Sequence, residues 1–176
     1  MKRLGRNFFN RNTIMVAQDL LGKYLVRKTG NKIIRTKIVE TEAYCGPEDR
    51  ASHASKGITP RTKIMFGPPG YAYVYLIYGM YHCLNIVTEK EGYPAAVLIR
   101  GVELGGLNGP GKLCRGLGID KKLNAIDLTK SDLLWVENGK VEIKKNQIKS
   151  AKRIGVDYAG KWKNKPWRFL LTKESK

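Results

Sequence analysis

Apolar residues recur along this chain at two spacings, one typical of helices and one typical of strands. Close to the N-terminus, the polar residues 10–13 offer candidate N-cap side chains. Apolar positions follow them at roughly helical spacing, at Ile14, Ala17, Leu20 and Leu21. We therefore predict a short helix there, ended by Gly22.

Strand patterns then dominate the chain. Residues 24–28 and 33–44 flank a turn at 29–32, which predicts a β-hairpin. Residues 50–61 are polar and contain Gly57 and Pro60, so we predict an irregular loop. Further strands are predicted at 71–78, 81–88, 95–103 and 133–137, and a helix around 112–117. The pattern predicts one mixed α/β (α+β) domain, residues 1–176, with several antiparallel strands.

The segment 64–88 could be mistaken for a membrane span, because it contains no Asp, Glu, Lys or Arg. It contains a Gly-Pro-Pro-Gly run at 67–70, followed by Gly79, His82 and Asn85. These residues would interrupt a membrane helix, whereas two buried strands joined by a turn accommodate them. We therefore predict β-structure and no membrane association.

The chain is strongly basic, with 33 Lys and Arg against 15 Asp and Glu and a net charge of +18. Such an excess attracts polyanions, so DNA, RNA and anionic membrane surfaces are the candidate partners. The basic residues 140–176 also carry Trp162, Trp167 and Phe169, which predicts that this tail is folded. Charge alone does not choose among the partners.

Cysteine and histidine usage argues against metal and disulfide sites. Cys45, Cys83 and Cys114 stand far apart, and the only histidines are His53 and His82. This predicts no metal centre, no disulfide framework and a reducing compartment. The charged N-terminus has no apolar segment behind it, so we expect no signal peptide.

Two acidic side chains share a face of the predicted strand 33–44. Alternation places Glu40, Glu42 and Tyr44 together. Two carboxylates would disfavour the binding of a polyanion unless one of them has a function at that site. Activation of a water molecule is one such function. The alternative is a solvated face paired with lysines, which the residues alone favour.

Tyrosines alternate at 71, 73 and 75, with Tyr78 at the following turn and Tyr81 beyond it. Aromatic side chains beside basic surface could stack on nucleobases, and one at a hairpin tip could wedge into a base stack. The alternative is a structural role in the core or at an interface, which we favour for Tyr71, Tyr73 and Tyr81.

Three isolated polar residues remain open in role. His53 in the polar loop could contact a base, carry a proton or do neither. Arg100 ends an apolar strand, where it could extend to solvent or pair with a buried acid such as Glu42; the pattern favours solvent. Asn85 in an apolar strand indicates a structural hydrogen bond or, less readily, a ligand contact.

Short motifs cover nearly the whole chain in a fixed order, at 21–26, 38–44, 46–49, 51–53, 61–66, 73–81, 84–85, 97–100, 108–114, 153–156 and 165–169. With these motifs the chain resembles the alkyladenine, or 3-methyladenine, DNA glycosylases. The segment 86–99 is longer than in that family, which affects loop contacts but not Arg100.

The resemblance implies a monofunctional DNA glycosylase of base excision repair. It would flip alkylated or deaminated purines (3-methyladenine, 7-methylguanine, hypoxanthine and ethenoadenine) out of double-stranded DNA and hydrolyse the N-glycosidic bond with an activated water. It also implies a curved, mainly antiparallel sheet with a protruding β-hairpin and surrounding helices, a monomer and no cofactor. We expect a cytoplasmic, nucleoid-associated protein in a prokaryote or a nuclear one in a eukaryote, not a secreted one.

The resemblance also implies roles for single residues. Glu42 would be the catalytic base, with Arg100 holding the water and the carboxylate. Tyr78 would intercalate into the duplex in place of the flipped nucleotide. The base-binding pocket would comprise Tyr44, His53, Tyr75, Asn85, Met65 and Leu98.

Within that pocket, Tyr44 would stack on one face of the base, and His53 and Tyr75 on the other. Asn85 would lie on the floor and disfavour the exocyclic amine of guanine. Residues 154–156 would contribute a wall.

Two other functions stay open. In a bifunctional glycosylase a lysine would attack the sugar, and only Lys63 and Lys112 stand among the motifs. A non-catalytic nucleic-acid-binding protein would show salt-dependent affinity with little preference for damage.

Overall fold

The computed structural model describes residues 1–172; the last four residues of the predicted domain and basic tail lie outside this range. Helices α1 to α3 are Arg6–Phe9, Thr13–Asp19 and Pro110–Gly116. Strands β1 to β8 are Tyr24–Thr29, Lys32–Cys45, Ala72–Ile77, Tyr81–Val87, Ala95–Val102, Leu134–Glu137, Ile148–Ala151 and Arg168–Leu171. Short 3₁₀ helices lie at His53–Lys56, Lys63–Phe66, Lys121–Leu123, Lys145–Gln147 and Asp157–Asn164.

The long strand β2 organises the sheet. Its first half pairs with β1, and its second half lies between β5 and β8. All pairings are antiparallel, and the main strand order is β3-β4-β5-β2-β1-β6. The sheet curls into a half-barrel, so the fold is the predicted α+β domain with a mainly antiparallel sheet. Glu42 is central, since it pairs with Leu98 of β5 and Arg168 of β8.

The main core lies between this sheet and the helices. Its largest buried side chains come from α1, α3, strands β4, β5 and β8 and the residue that follows α2, and include Phe9, Leu20, Ile86, Ile99, Leu113 and Phe169. Burial of these apolar surfaces is the main stabilising contribution. A smaller cluster around Met65, Tyr73 and Val87 supports the pocket side of the sheet.

The helices and hairpins follow local sequence signals. The Asn12 side chain accepts hydrogen bonds from the backbone N–H groups of Ile14 and Met15, which caps α2 as predicted. Both β-hairpins form as predicted, at β1–β2 and β3–β4. Helix α3 begins at Pro110, two residues before the predicted segment, because proline fits the first helical turn.

One loop prediction was wrong in part. Residues 50–61 contain the 3₁₀ helix His53–Lys56, capped by the Ser52 side chain, which accepts from the Ala54 N–H. This turn gives His53 a fixed place in the fold. Across residues 1–172, no helix is long and apolar enough to cross a membrane.

Candidate active site

A pocket of about 460 Å³ lies beside the β3–β4 hairpin. Eight of the nine residues assigned to the site from sequence line it: Tyr44, His53, Met65, Tyr75, Tyr78, Asn85, Leu98 and Arg100. The ninth, Glu42, lies behind the wall in contact with Tyr44, Ile154 and Arg100. The fold therefore gathers all nine residues at one place, while the roles assigned to them stay predictions.

Glu42 is a buried carboxylate with each oxygen held in place. Its side chain is 0 % exposed, and its strand is paired on both edges at this point. Oε1 accepts from the backbone N–H of Ile154 at 2.9 Å, and Oε2 accepts from the Tyr44 hydroxyl at 2.8 Å. Burial raises the pKa of Glu42 above 4.5, and the charge of Arg100 with the two hydrogen bonds opposes that rise.

Arg100 does not extend to solvent, so the interpretation favoured by its position at a strand end was wrong. Its Nε donates to Glu40 Oε1 at 3.0 Å, and its Nη1 lies 3.5 Å from Glu42 Oε1. The register slips here, since Glu40 pairs with Gly101 and Thr41 pairs with Ile99. This irregularity leaves Arg100 between two paired positions, and bulges of this kind redirect side chains.

Glu40 also contradicts the solvated-face alternative for the two glutamates. Its Oε1 accepts a second hydrogen bond from Arg168 Nη1, at 3.0 Å. The acidic pair therefore faces two guanidinium groups, one from β5 and one from β8. Sequence analysis placed the two carboxylates on one face but could not identify these partners.

A buried ion pair that sequence analysis did not single out supports the Tyr44 wall. Arg153 donates to both carboxylate oxygens of Asp49, with Nη2 and Oδ1 2.8 Å apart, and both side chains are 0 % exposed. The guanidinium lies 4.8 Å from the centre of the Tyr44 ring. Arg153 directly precedes Ile154, whose backbone N–H donates to Glu42. The ion pair therefore anchors the backbone at this contact.

His53, Tyr73 and Tyr75 form a second aromatic part of the pocket wall. His53 Nδ1 shares a hydrogen bond with the Tyr73 hydroxyl at 2.9 Å, and its ring lies edge-on to Tyr75 at 4.6 Å. Burial, followed by the charges of Arg61 and Lys56, lowers the pKa of His53 to about 4. His53 is therefore a neutral ring at physiological pH.

Asn85 makes the structural hydrogen bond expected of a buried amide. Its Nδ2 donates to the Tyr73 carbonyl at 3.3 Å, and the residue is 4 % exposed. It also lines the pocket, so a ligand contact is open to it as well. Met65 and Leu98 provide buried apolar surface around it.

Tyr78 stands at the tip of the β3–β4 hairpin and is 84 % exposed. Tyr78 and Gly79 have φ of 51° and 69°, and the Met80 N–H donates to the Ile77 carbonyl at 3.1 Å. Two successive positive φ angles are typical of a type I′ turn, which Asn and Gly favour and tyrosine does not. Tyr81, for which a structural role in the core or at an interface was favoured, is 42 % exposed at the outer end of β4 and so does not lie in the core.

The chemistry of the lining bears on the open alternatives. Within the part of the chain that the structure describes, no lysine lines this pocket. Over the same residues, His, Cys, Asp and Glu form no group of three or more that could hold a metal ion. Cys83 lines the pocket as a buried free thiol.

Comparison with known proteins places the chain among glycosylases. Residues 7–175 match the model of a family described as methylpurine-DNA glycosylase. A protein of Methanocella arvoryzae is 51 % identical over 96 % of this chain and 92 % of its own length. Proteins of Desulfitobacterium hafniense and Legionella pneumophila are 46 % and 50 % identical, over 97 % of this chain and 96 % and 95 % of their own lengths. All three carry the name "Putative 3-methyladenine DNA glycosylase".

Proposed function

This chain belongs to the methylpurine-DNA glycosylase family of DNA repair enzymes, and we propose that it excises alkylated or deaminated purines from duplex DNA by hydrolysis. The proposed substrates are 3-methyladenine, 7-methylguanine, hypoxanthine and ethenoadenine. We also propose that it acts as a monomer on chromosomal DNA. The observation that carries the proposal is the buried carboxylate of Glu42, held by three different groups directly behind a pocket of about 460 Å³.

The proposed reaction takes place on an extruded nucleotide. A base within the duplex is out of reach of any side chain, so the enzyme must flip it into the pocket. Tyr78, exposed at a hairpin tip, would fill the space that the base leaves. The base would then lie between Tyr44 on one side and His53 with Tyr75 on the other.

Glu42 is the proposed general base. Water attacks C1′ of the sugar while the bond from C1′ to the base nitrogen breaks, and the bonding electrons leave with the base. Glu42 accepts the proton of the water, and its negative charge stabilises the positive charge that develops on the sugar. The contacts with Arg100 and the Ile154 N–H, which fix the carboxylate in place, support this role.

The state of the leaving base sets what else is needed. An N-alkylated purine carries a positive charge and departs as a neutral molecule without further protonation. Hypoxanthine is neutral, so it needs a proton on departure. His53 is a poor donor at physiological pH because its pKa is about 4.

The test is single-turnover release of hypoxanthine or 1,N6-ethenoadenine from a defined duplex, with Glu42→Gln beside the wild-type protein. Glu91→Gln is the matched control, because Glu91 is exposed and does not line the pocket. We expect release by the wild-type and control proteins and a loss of at least about 10²-fold in Glu42→Gln, with lesion binding retained.

Two results would contradict the proposal. Release that survives in Glu42→Gln, together with a DNA adduct trapped by borohydride, would assign the chemistry to a lysine. Absence of release by the wild-type protein, from these duplexes and from methylated DNA, would indicate a non-catalytic binder.

A further inference from the structure

Two guanidinium groups stand behind the aromatic walls of the pocket. Arg153 lies 4.8 Å from the centre of the Tyr44 ring, and Arg61 lies 4.8 Å from the centre of the Tyr75 ring. Tyr44 and Tyr75 line the pocket and neither arginine does. Because each arginine lies over its ring and outside the pocket lining, we infer that the ring lies between the cation and the space in which the base is proposed to bind.

The two arginines differ in how their charge is compensated. Arg153 is paired with the carboxylate of Asp49, so its charge is largely neutralised locally. Arg61 has no ion pair among the described residues; its Nη2 donates to the backbone carbonyl of Leu76 at 3.0 Å. Arg61 thus leaves a net positive charge beside the pocket, and this charge contributes to the lowered pKa of His53.

A cation on one face of an aromatic ring draws π-electron density towards itself. The opposite face then offers less negative potential to a second cation, which weakens the cation–π attraction that favours electron-poor bases. Direct repulsion between the two positive charges acts in the same direction. A neutral base experiences neither effect to first order.

We propose that Arg61 is a specificity-determining residue, which disfavours cationic N-alkylated purines relative to neutral damaged purines. It does so from behind Tyr75, without contact with the base. With Arg61 in this position, the pocket favours an uncharged, planar purine such as hypoxanthine or ethenoadenine. This inference rests on the proposed function.

Coulomb's law sets the size of the effect. With stacked rings about 4.5 Å apart, a base on the far side of Tyr75 lies about 9 Å from the guanidinium. Two unit charges at that distance change an equilibrium by about twofold in water-like surroundings and about twentyfold at an effective dielectric of 20. Because Arg61 is exposed, we expect a change of about three- to fivefold.

The experiment compares release of 7-methylguanine, which is cationic, and hypoxanthine, which is neutral, from duplexes of one sequence under single-turnover conditions. The proteins are wild type, Arg61→Gln, Arg61→Lys and, as a control, Arg115→Gln, an exposed arginine outside the pocket lining. We expect the ratio of 7-methylguanine to hypoxanthine release to rise about three- to fivefold in Arg61→Gln. Arg61→Lys and Arg115→Gln should stay close to the wild-type ratio.

Three outcomes would overturn the proposal. Equal loss of both rates in Arg61→Gln would show that Arg61 only holds the DNA, and a ratio in Arg61→Lys equal to that in Arg61→Gln would assign the effect to the planar group rather than to charge. An NMR titration of His53 in the free protein provides a readout that needs no activity. Its pKa should rise in Arg61→Gln, and an unchanged value would also reject the proposal. If the wild-type protein releases neither base, the glycosylase assignment fails, while the titration still reports on the field of Arg61.

Discussion

Glu42 combines two opposing environments at the scale of one residue. Burial disfavours its charged form, while Arg100, the Ile154 N–H and the Tyr44 hydroxyl favour it. Burial is the largest of these contributions, so the pKa is raised. A general base with a raised pKa is a stronger proton acceptor and still carries its charge above that pKa.

The hydrogen bond from Tyr44 makes this balance testable. Tyr44→Phe retains the aromatic ring but removes the donor to Glu42 Oε2, so the pKa of Glu42 should rise further. Since only the ionised carboxylate accepts a proton, the rate rises with pH through this pKa, and the acid limb of the profile should move to higher pH. We expect release about tenfold slower at mildly acidic pH, with a smaller loss at alkaline pH.

The measurement is a single-turnover pH–rate profile with 7-methylguanine, whose departure needs no added proton. Tyr158→Phe is the control, because the Tyr158 hydroxyl contacts the Ala51 carbonyl and not Glu42. A uniform loss in Tyr44→Phe at every pH, with the acid limb unmoved, would contradict this account.

The site residues differ in how far sequence could predict their surroundings. Alternation along one strand was enough to place Glu40, Glu42 and Tyr44 together. The direction of Arg100 depends on a register irregularity between β2 and β5, which no local pattern encodes. The pair of Asp49 and Arg153 joins positions 104 residues apart, so only the folded chain reveals it.

At the scale of elements, local signals predicted strands β1 to β6 and both hairpins, because alternation, turn residues and capping are local, but they missed the short strands β7 and β8. They did not predict the 3₁₀ helix His53–Lys56 within a polar loop. Nor did they show that the backbone at 153–154, between β7 and the 3₁₀ helix Asp157–Asn164, forms part of the Glu42 site.

The ion pair that anchors this C-terminal segment should contribute strongly to stability. Asp49→Asn would leave the guanidinium of Arg153 buried without an opposite charge, which costs about 3–5 kcal/mol. Asp132→Asn is the matched control, since Asp132 is 87 % exposed in its pair with Arg3 and should lose less than about 1 kcal/mol. Urea unfolding measures both, and comparable losses would show that the buried pair is not a structural anchor.

The β3–β4 hairpin places tyrosine where the backbone favours another residue. Tyr78→Asn should relieve the left-handed conformation and raise the free energy of unfolding by up to about 1 kcal/mol. The same change removes the exposed ring, so the rate of base release from one defined duplex should fall about tenfold or more. Tyr78→Phe keeps the ring and should keep that rate. Thermal denaturation and single-turnover release test the two parts together, and a destabilised or fully active Tyr78→Asn would contradict the inference that the turn carries strain for function.

At the scale of the whole molecule, the net charge of +18 should act on DNA binding and not on the chemical step. Each phosphate neutralised by Lys or Arg contributes a slope of about −0.9 to the logarithm of affinity against the logarithm of salt concentration. With six phosphate contacts, the Kd for undamaged duplex should increase about 10³-fold between 50 and 200 mM salt.

Glu42 is buried and its partners lie within the protein, so salt screens it little. The single-turnover rate at saturating enzyme should therefore change by less than about twofold over the same range. Fluorescence anisotropy and rapid-quench release on one duplex measure the two quantities side by side. A Kd that does not change with salt concentration would exclude the DNA backbone as the target of the basic surface. A rate at saturating enzyme that falls with salt concentration would show that part of the charge acts on the chemical step.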